Sequence, residues 1–437
     1  MRYFTSIFFF ILITTLSLGQ ELERRGEWGA VLSYCDDHRG LCVSNVTAGG
    51  PAAKANLQEG DVVTDINSER IQGYMSSQRL LRSLRAGKQL RLKVYRDGTL
   101  FESKITLSPT PLDNYPGVDF EYGSIVSPQG ERLRTVISRP QNVKGKLPAI
   151  FYIKWLACSP VEGRVNGSIR IAWELSKTGC LVYRVEVPGV GDSEGPDCSQ
   201  LDLETEISVF KSAFQSIKDI PDVDMDNIFI YGINSGGVIA PIVANEASGI
   251  PVKGIIVNGT WIRTWHEHII DQERRVHGYV GTPIDDLSEI MNKSTEFHTE
   301  YLVKRRNPAD IIKSSPHLAS EWNYPSFDYH FGDRSVEYFQ EMDHFNIASN
   351  WNKVSVPTLV VYNEFDWMIA ETDHRIIYNI VESNNPGKNE FVIVPRTDPF
   401  NNFYKEGDKK TPLLTSSSAP NPDSWNVILQ WLKKVTD

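Results

Sequence analysis

The stretch IFIYGINSGG, residues 228–237, decides how this chain is read. An apolar run followed by small residues is the frame that presents a nucleophilic serine on a sharp turn between a strand and a helix. In the pattern G-x-S-x-G the two glycines keep that turn clear of side chains. Gly232 and Gly236 take their places here, but the central position is Asn234, and Ser235 comes one residue late. A carboxamide carries no ionisable group for a neighbouring base to activate. Taking Ser235 as the nucleophile shifts the frame and puts the branched side chain of Ile233 where the turn favours glycine.

Outward from this stretch, strands alternate with helical patterns. LPAIFYIKWLA (147–157) is a continuous apolar run of the kind that forms a buried central strand. After it come CLVYRVEVPG (180–189), the helical DLETEISVFKSAFQSIKDI (202–220), VKGIIVNG (252–259), VPTLVVYNEFD (356–366) and NEFVIVP (389–395). The amphipathic PDSWNVILQWLKKV (422–435) closes the pattern. Repeated strand–helix units predict an α/β fold with a mostly parallel sheet covered by helices on both faces. In such sheets the sites lie at the carboxyl ends of the strands.

RVEVPGVGDSEGP (184–196), the turn at 232–237 and PTLVVYNEFD ending at Asp366 resemble the α/β-hydrolase superfamily, over nearly all of residues 130–437. The resemblance implies a domain spanning 119–437 with a lid insertion at about 261–350, and a triad in the order Ser, Asp, His. It puts the nucleophile position at Asn234, the acid at Asp366 and the histidine, expected in PRTDPFNNF, at Pro399. It also implies that the residue after the nucleophile, Ser235, lends its backbone N–H to the oxyanion hole. The oxyanion loop should hold a glycine close behind its strand, yet KWLACSPVE has none. His374, in ETDHRIIYNIV, reads as a surface residue opening a helix. In a well-studied serine protease, losing the serine or the histidine alone costs on the order of 10⁶ in turnover. The expectation is a protein of serine esterase or peptidase ancestry that binds a small-molecule or peptide ligand in its cleft without turning it over. The alternative is an active ester or peptide hydrolase using Ser235 with Asp366 and a non-standard histidine supplied by the lid.

Ahead of this region, residues 24–108 form a compact unit of short strands and two helical patterns. VSNVTAGGPAAKANLQEGDVVTDINSERI, with its Gly60–Asp61 turn, resembles a PDZ domain. The resemblance implies strand addition of an extended peptide, whose C-terminal carboxylate is captured by backbone amides. The groove would lie between Trp28, Gly29, Ala30 and Val31 and the helix holding residues 77–84. Residues 109–118, rich in proline and turn formers, read as a linker. Secreted bacterial proteins that place a PDZ domain before such a hydrolase domain are similar along the whole mature chain.

The net charge of −10 and the lack of a Lys/Arg-rich patch argue against a nucleic-acid partner. Residues 1–19 read as a cleaved signal peptide: Arg2, an apolar run too short to span a bilayer, then Ser17-Leu18-Gly19. No later run is long enough to span a membrane, so the expected location is secreted or periplasmic. Five cysteines then suggest two disulfides and one spare thiol. Cys35 and Cys42 flank a polar turn that a bridge would staple, and Cys158 and Cys198 lie in loops that the fold places on one edge. Cys180 reads as a buried thiol. No HExxH, paired CxxC or phosphate-loop motif occurs, and His266 and His268 are two apart on a helix, so neither a metal nor a cofactor is expected.

Overall fold

The computed structural model describes residues 21–35, 40–154, 157–163, 167–322, 331–415 and 419–436. The signal segment assigned to residues 1–19 lies outside them. The small N-terminal sheet has the order β1-β2-β3-β4-β5: β1 Val31–Cys35, β2 Gly40–Ser44, β3 Val62–Ile66, β4 Gln89–Arg96 and β5 Thr99–Thr106. In β4 (QLRLKVYR) Leu90, Leu92 and Val94 point into the core while Arg91 and Lys93 point out, as a period of two requires. Helix α1, Tyr74–Ser83, lies alongside β1, the edge strand. Leu84 at its C-terminal end accepts from the amide of Gly26 (3.0 Å), and Tyr74 at its start meets the Tyr34 ring edge-on (6.5 Å between centroids).

The large sheet has eight strands: β6 Val118–Val126, β7 Arg132–Pro140, β8 Leu147–Ile153, β9 Leu181–Val185, β10 Val223–Ile233, β11 Val252–Asn258, β12 Thr358–Asn363 and β13 Glu390–Val394. Their spatial order is β13-β12-β11-β10-β8-β9-β7-β6, and only β7 runs antiparallel to its neighbours. This is the α/β-hydrolase fold. Helices α2 (Gly167–Lys177) and α9 (Asp423–Thr436) cover one face. The other carries α3 (Leu203–Gln215), α4 (Ser235–Asn245) and α8 (Glu371–Asn384). Between β11 and β12 a helical cap intervenes, with α5 (Trp265–Val280), α6 (Ile284–His298) and α7 (Val336–His344).

The two halves are clamped at both ends of the small domain. Arg24 binds Glu162 (2.7 Å) and Asp192 (2.5 Å), and Asp192 also accepts from the amide of Arg25 (2.7 Å). On α1, Arg82 reaches Asp197 and Asp333, each at 2.8 Å, and the Tyr74 hydroxyl donates to Asp333 (3.2 Å). The stretch read as a linker is itself pinned. Asp113 is buried and accepts from Gly163 N (2.8 Å), Trp173 Nε1 (3.3 Å) and Arg184 (3.0 Å). A proline-rich stretch marks a break in secondary structure, but the one carboxylate in it found three buried donors.

Both expected disulfides form. Cys35–Cys42 has its Cα atoms 5.9 Å apart and Cys158–Cys198 5.6 Å, while Cys180 is free and buried. The second bridge ties the loop after β8 to the loop after β9 across 40 residues of sequence. Replacing Cys158 and Cys198 together with alanine should cost about 4 kcal/mol in the chain-entropy account. Chemical denaturation of the double variant, compared with the oxidised protein, measures it.

Candidate functional site

Asn234 sits at the apex of the turn between β10 and α4 with φ 56° and ψ −119°, a conformation that non-glycine residues seldom adopt. The neighbouring glycines explain why the turn can be so tight. A Cβ on Gly232 would lie 2.3 Å from the carbonyl oxygen of Gly236, and one on Gly236 would lie 2.1 Å from that of Ile153. Strand and helix touch backbone to backbone, so the chain must present one residue outward at the apex. That residue is Asn234, and Ser235 is the first, buried residue of α4. The carboxamide then folds back on the turn: Asn234 Oδ1 accepts from the amide of Ser235 at 3.0 Å. This is the N–H that the resemblance assigned to an oxyanion hole.

Asp366 follows β12 and is fully buried. Its Oδ1 accepts from the amides of Met368 and Ile369, both at 2.8 Å, while Oδ2 has no hydrogen-bond partner. Burial pushes this carboxyl up to about 7, opposed by those two amides and by the charge of Arg275. Pro399 follows β13 in a loop held by its neighbour: Asp398 accepts from the amides of Phe400 (2.9 Å) and Asn402 (2.8 Å) and from the hydroxyl of Tyr404 (3.2 Å). Beneath the loop runs a buried chain of asparagines that sequence reading did not single out. Asn258 donates to Asn363 (3.3 Å), and Asn363 donates to the Asp398 carbonyl (2.8 Å) and to Asn401 (3.1 Å). Asn234, Asp366 and Pro399, spread over 166 positions, line one cavity of about 240 Å³. Tyr152, Lys154, Ile233, Met368 and Phe400 line it too.

No histidine hydrogen-bonds Ser235 among the described residues; His38 and His330 lie outside them. The surface position expected for His374 is corrected. The ring is fully buried, its Nδ1 donating to the carbonyl of Ala370 (2.9 Å) and its Nε2 accepting from the amide of Thr260 (3.3 Å). A helix-opening pattern gives no hint that α8 packs this face on the cap junction. Burial lowers its proton affinity, so it is a neutral structural group with both nitrogens engaged. His268, two residues after His266 on α5, is also buried, stacked on Trp261 (5.4 Å) and driven down to about 4 by burial. No three His, Cys, Asp or Glu side chains converge as metal ligands among the described residues.

Lys154, directly after β8, was not singled out in the sequence, although it is the one charge in the apolar run LPAIFYIKWLA. It is buried and donates to the carbonyls of Ala157 and Ser159, and burial lowers its proton affinity. These bonds shape the glycine-free loop where an oxyanion hole would stand; Trp155 and Leu156 of that loop lie outside the described residues.

At the other candidate site, Trp28 is buried in the small core, with its carbonyl accepting from Ala52 N (2.8 Å), and the Gly29 carbonyl accepts from Thr47 N (2.8 Å). Gly29 has φ 65° and Pro51 packs against it. Ala30 leads into β1, whose Val31 is 39% exposed on the free sheet edge. Of the two arginines ahead of this loop, Arg24 is committed to Glu162 and Asp192, and the side chain of Arg25 donates to the Thr110 hydroxyl (3.4 Å).

The PDZ domain family matches residues 17–107. The chain is 31% identical over 77 residues to a Brucella suis protein named "probable periplasmic serine endoprotease DegP-like", covering 18% of this chain and 15% of the relative. A Pseudomonas putida protein of the same name is 33% identical over 79 residues, 16% of its length. The chain therefore spans less than a fifth of these relatives. Among solved structures, Est1E from Butyrivibrio proteoclasticus with ferulic acid bound aligns at a TM-score of 0.46 and 14% identity, over 72% of this chain and 97% of that one. The Pyrococcus furiosus esterase aligns at 0.45 and 14%, over 75% and 97%. The chain thus carries a PDZ domain ahead of its large eight-stranded sheet.

The carboxyl of Asp366 makes a prediction about stability. Its ordinary value in an unfolded chain is near 3.9. Because folding raises it, the native state holds a proton that the unfolded state releases between about pH 4 and pH 7. The group therefore stabilises the fold at low pH, and that stability is lost as pH rises to about 7. Asp366→Asn removes the linkage, so the variant should gain on the parent between pH 5 and pH 8, by about 2.5 kcal/mol. Denaturant midpoints at the two pH values measure this.

Proposed function

We propose that this is an exported, non-catalytic binding protein of serine esterase or peptidase ancestry. Its PDZ groove takes the C-terminus of a peptide or protein, and its hydrolase-fold cleft holds a small ligand without turnover. The observation that carries the reading is the bond between Asn234 Oδ1 and the Ser235 amide. One side chain both removes the nucleophile and occupies the N–H donor that would stabilise an oxyanion. Pro399 supplies no base, and His374 is locked in backbone bonds. Export is supported by the two disulfides and the N-terminal pattern of Arg2 and an apolar run.

Two measurements test the cleft. A fluorophosphonate probe, which labels only an activated serine, should leave the purified protein unlabelled; labelling that Ser235→Ala abolishes and Asn234→Ala preserves would establish the hydrolase alternative instead. The second rebuilds the triad. Asn234→Ser with Pro399→His should hydrolyse nitrophenyl acetate on the order of 10²-fold faster than the parent, the lower range for a positioned general base. Either change alone should do little, because a serine without a base and a base without a nucleophile both fail.

For the groove, a fluorescent peptide with a free C-terminus should bind the full chain with the affinity lost on amidation of that terminus, read by anisotropy. Equal affinity for the two peptides would rule out carboxylate capture.

A further inference from the structure

We propose that the cavity formed by Asn234, Asp366 and Pro399 selects a small organic cation carrying an N–H donor, an amine, amidine or azolium, with Asp366 Oδ2 as its acceptor. This rests on the reading of the cleft as a site that binds without turnover.

The starting point is an acceptor left without a donor. Oδ1 of Asp366 is satisfied by two backbone amides, whereas Oδ2 is fully buried and unpartnered. A buried polar atom in that state is rare and marks a place where something is missing. Oδ2 faces Gly259, where an added Cβ would approach it to 3.5 Å, and Gly259 lines the same cavity. In a serine triad this oxygen receives the N–H of the histidine. Pro399, at that position, has neither a side-chain donor nor a backbone N–H. In chemical terms Oδ2 is an acceptor for one N–H donor.

The positive groups nearby do not fill it. Arg275 spends its guanidinium on Asp271 (2.8 Å) and on the carbonyls of Trp367 (3.2 Å) and Met368 (2.9 Å). Lys154 is turned to the carbonyls of Ala157 and Ser159. Neither hydrogen-bonds Asp366, so among the described residues neither cation competes with a ligand N–H for Oδ2. The other side of the cavity is apolar and partly aromatic, through Tyr152, Ile233, Met368 and Phe400, which suits a ring or short hydrocarbon carrying the cation. At about 240 Å³ the space lies below the range of roughly 300 Å³ and upward that holds drug-sized ligands, so the ligand is fragment-sized. An anion is disfavoured by Asp366 itself.

The experiment titrates the full chain with benzylamine, imidazole and the neutral isostere benzyl alcohol, followed by ligand-observed NMR and calorimetry at pH 8. Benzylamine is expected to bind at least tenfold more tightly than benzyl alcohol. Asp366→Asn should abolish that preference. Pro399→His, which returns an imidazole to Oδ2, should weaken imidazole and benzylamine binding tenfold or more while keeping the parent's melting behaviour. Equal affinity for the amine and the alcohol overturns the proposal, as does an undiminished amine preference in Asp366→Asn or, where that variant does not fold, in Pro399→His. No binding by any of the probes overturns it too. Labelling of Ser235 by a fluorophosphonate would overturn the non-catalytic reading instead, and it leaves the amine preference measurable on its own.

Discussion

The backbone contact between β10 and α4 sets the geometry of everything at the cleft. Gly232 and Gly236 let a carbonyl come so close that no Cβ fits between strand and helix. The residue between them is forced outward at positive φ, whatever its chemistry. Such strain is held only where the surroundings over-determine it, and here helix α4 is buried along nearly its whole length. The turn therefore presents an amide. Because that amide reaches the next backbone N–H, one residue sets both the apex group and the donor beside it.

Around the apex, groups that an active site would use are turned to structural ends. Asp366 binds the backbone of its own loop, His374 bridges α8 to Thr260, and Asp398 fastens the turn that carries Pro399. The asparagine chain through Asn258, Asn363 and Asn401 fills the space between strands with hydrogen bonds that carry no charge. These are rigidifying bonds, since a satisfied buried network specifies one arrangement. The exception is Oδ2 of Asp366, which has no hydrogen-bond partner.

The two domains share a rigid seam. Arg82 is held between Asp197 and Asp333, and Asp197 caps the short helical turn that carries Cys198. Cys198 is bridged to Cys158, in the loop between Lys154 and the cavity wall residue Ser159. Helix α1 and the wall of the cleft are thus joined by ion pairs and a covalent bond. At the other end Arg24 holds Glu162 and Asp192, which fixes the start of the small domain to the edge of the large sheet.

Much of this was legible in the residues alone. Period-two and apolar runs place the strands, and glycines at fixed offsets mark the turn. That Asn234 and Pro399 carry neither a nucleophile nor a base is visible because chemistry follows residue type. Both disulfide pairings were also open to reading, since loops at one sheet edge are few. What only the tertiary structure decided was environment. Burial of His374 and His268, the commitment of Arg24 and Asp113 to the seam, and the orphaned oxygen of Asp366 depend on which distant segments pack against them. Periodicity reports which way a side chain leans on its own element, but a hydrogen-bond partner or a shifted proton affinity comes from elements far away in sequence, and no local pattern encodes them.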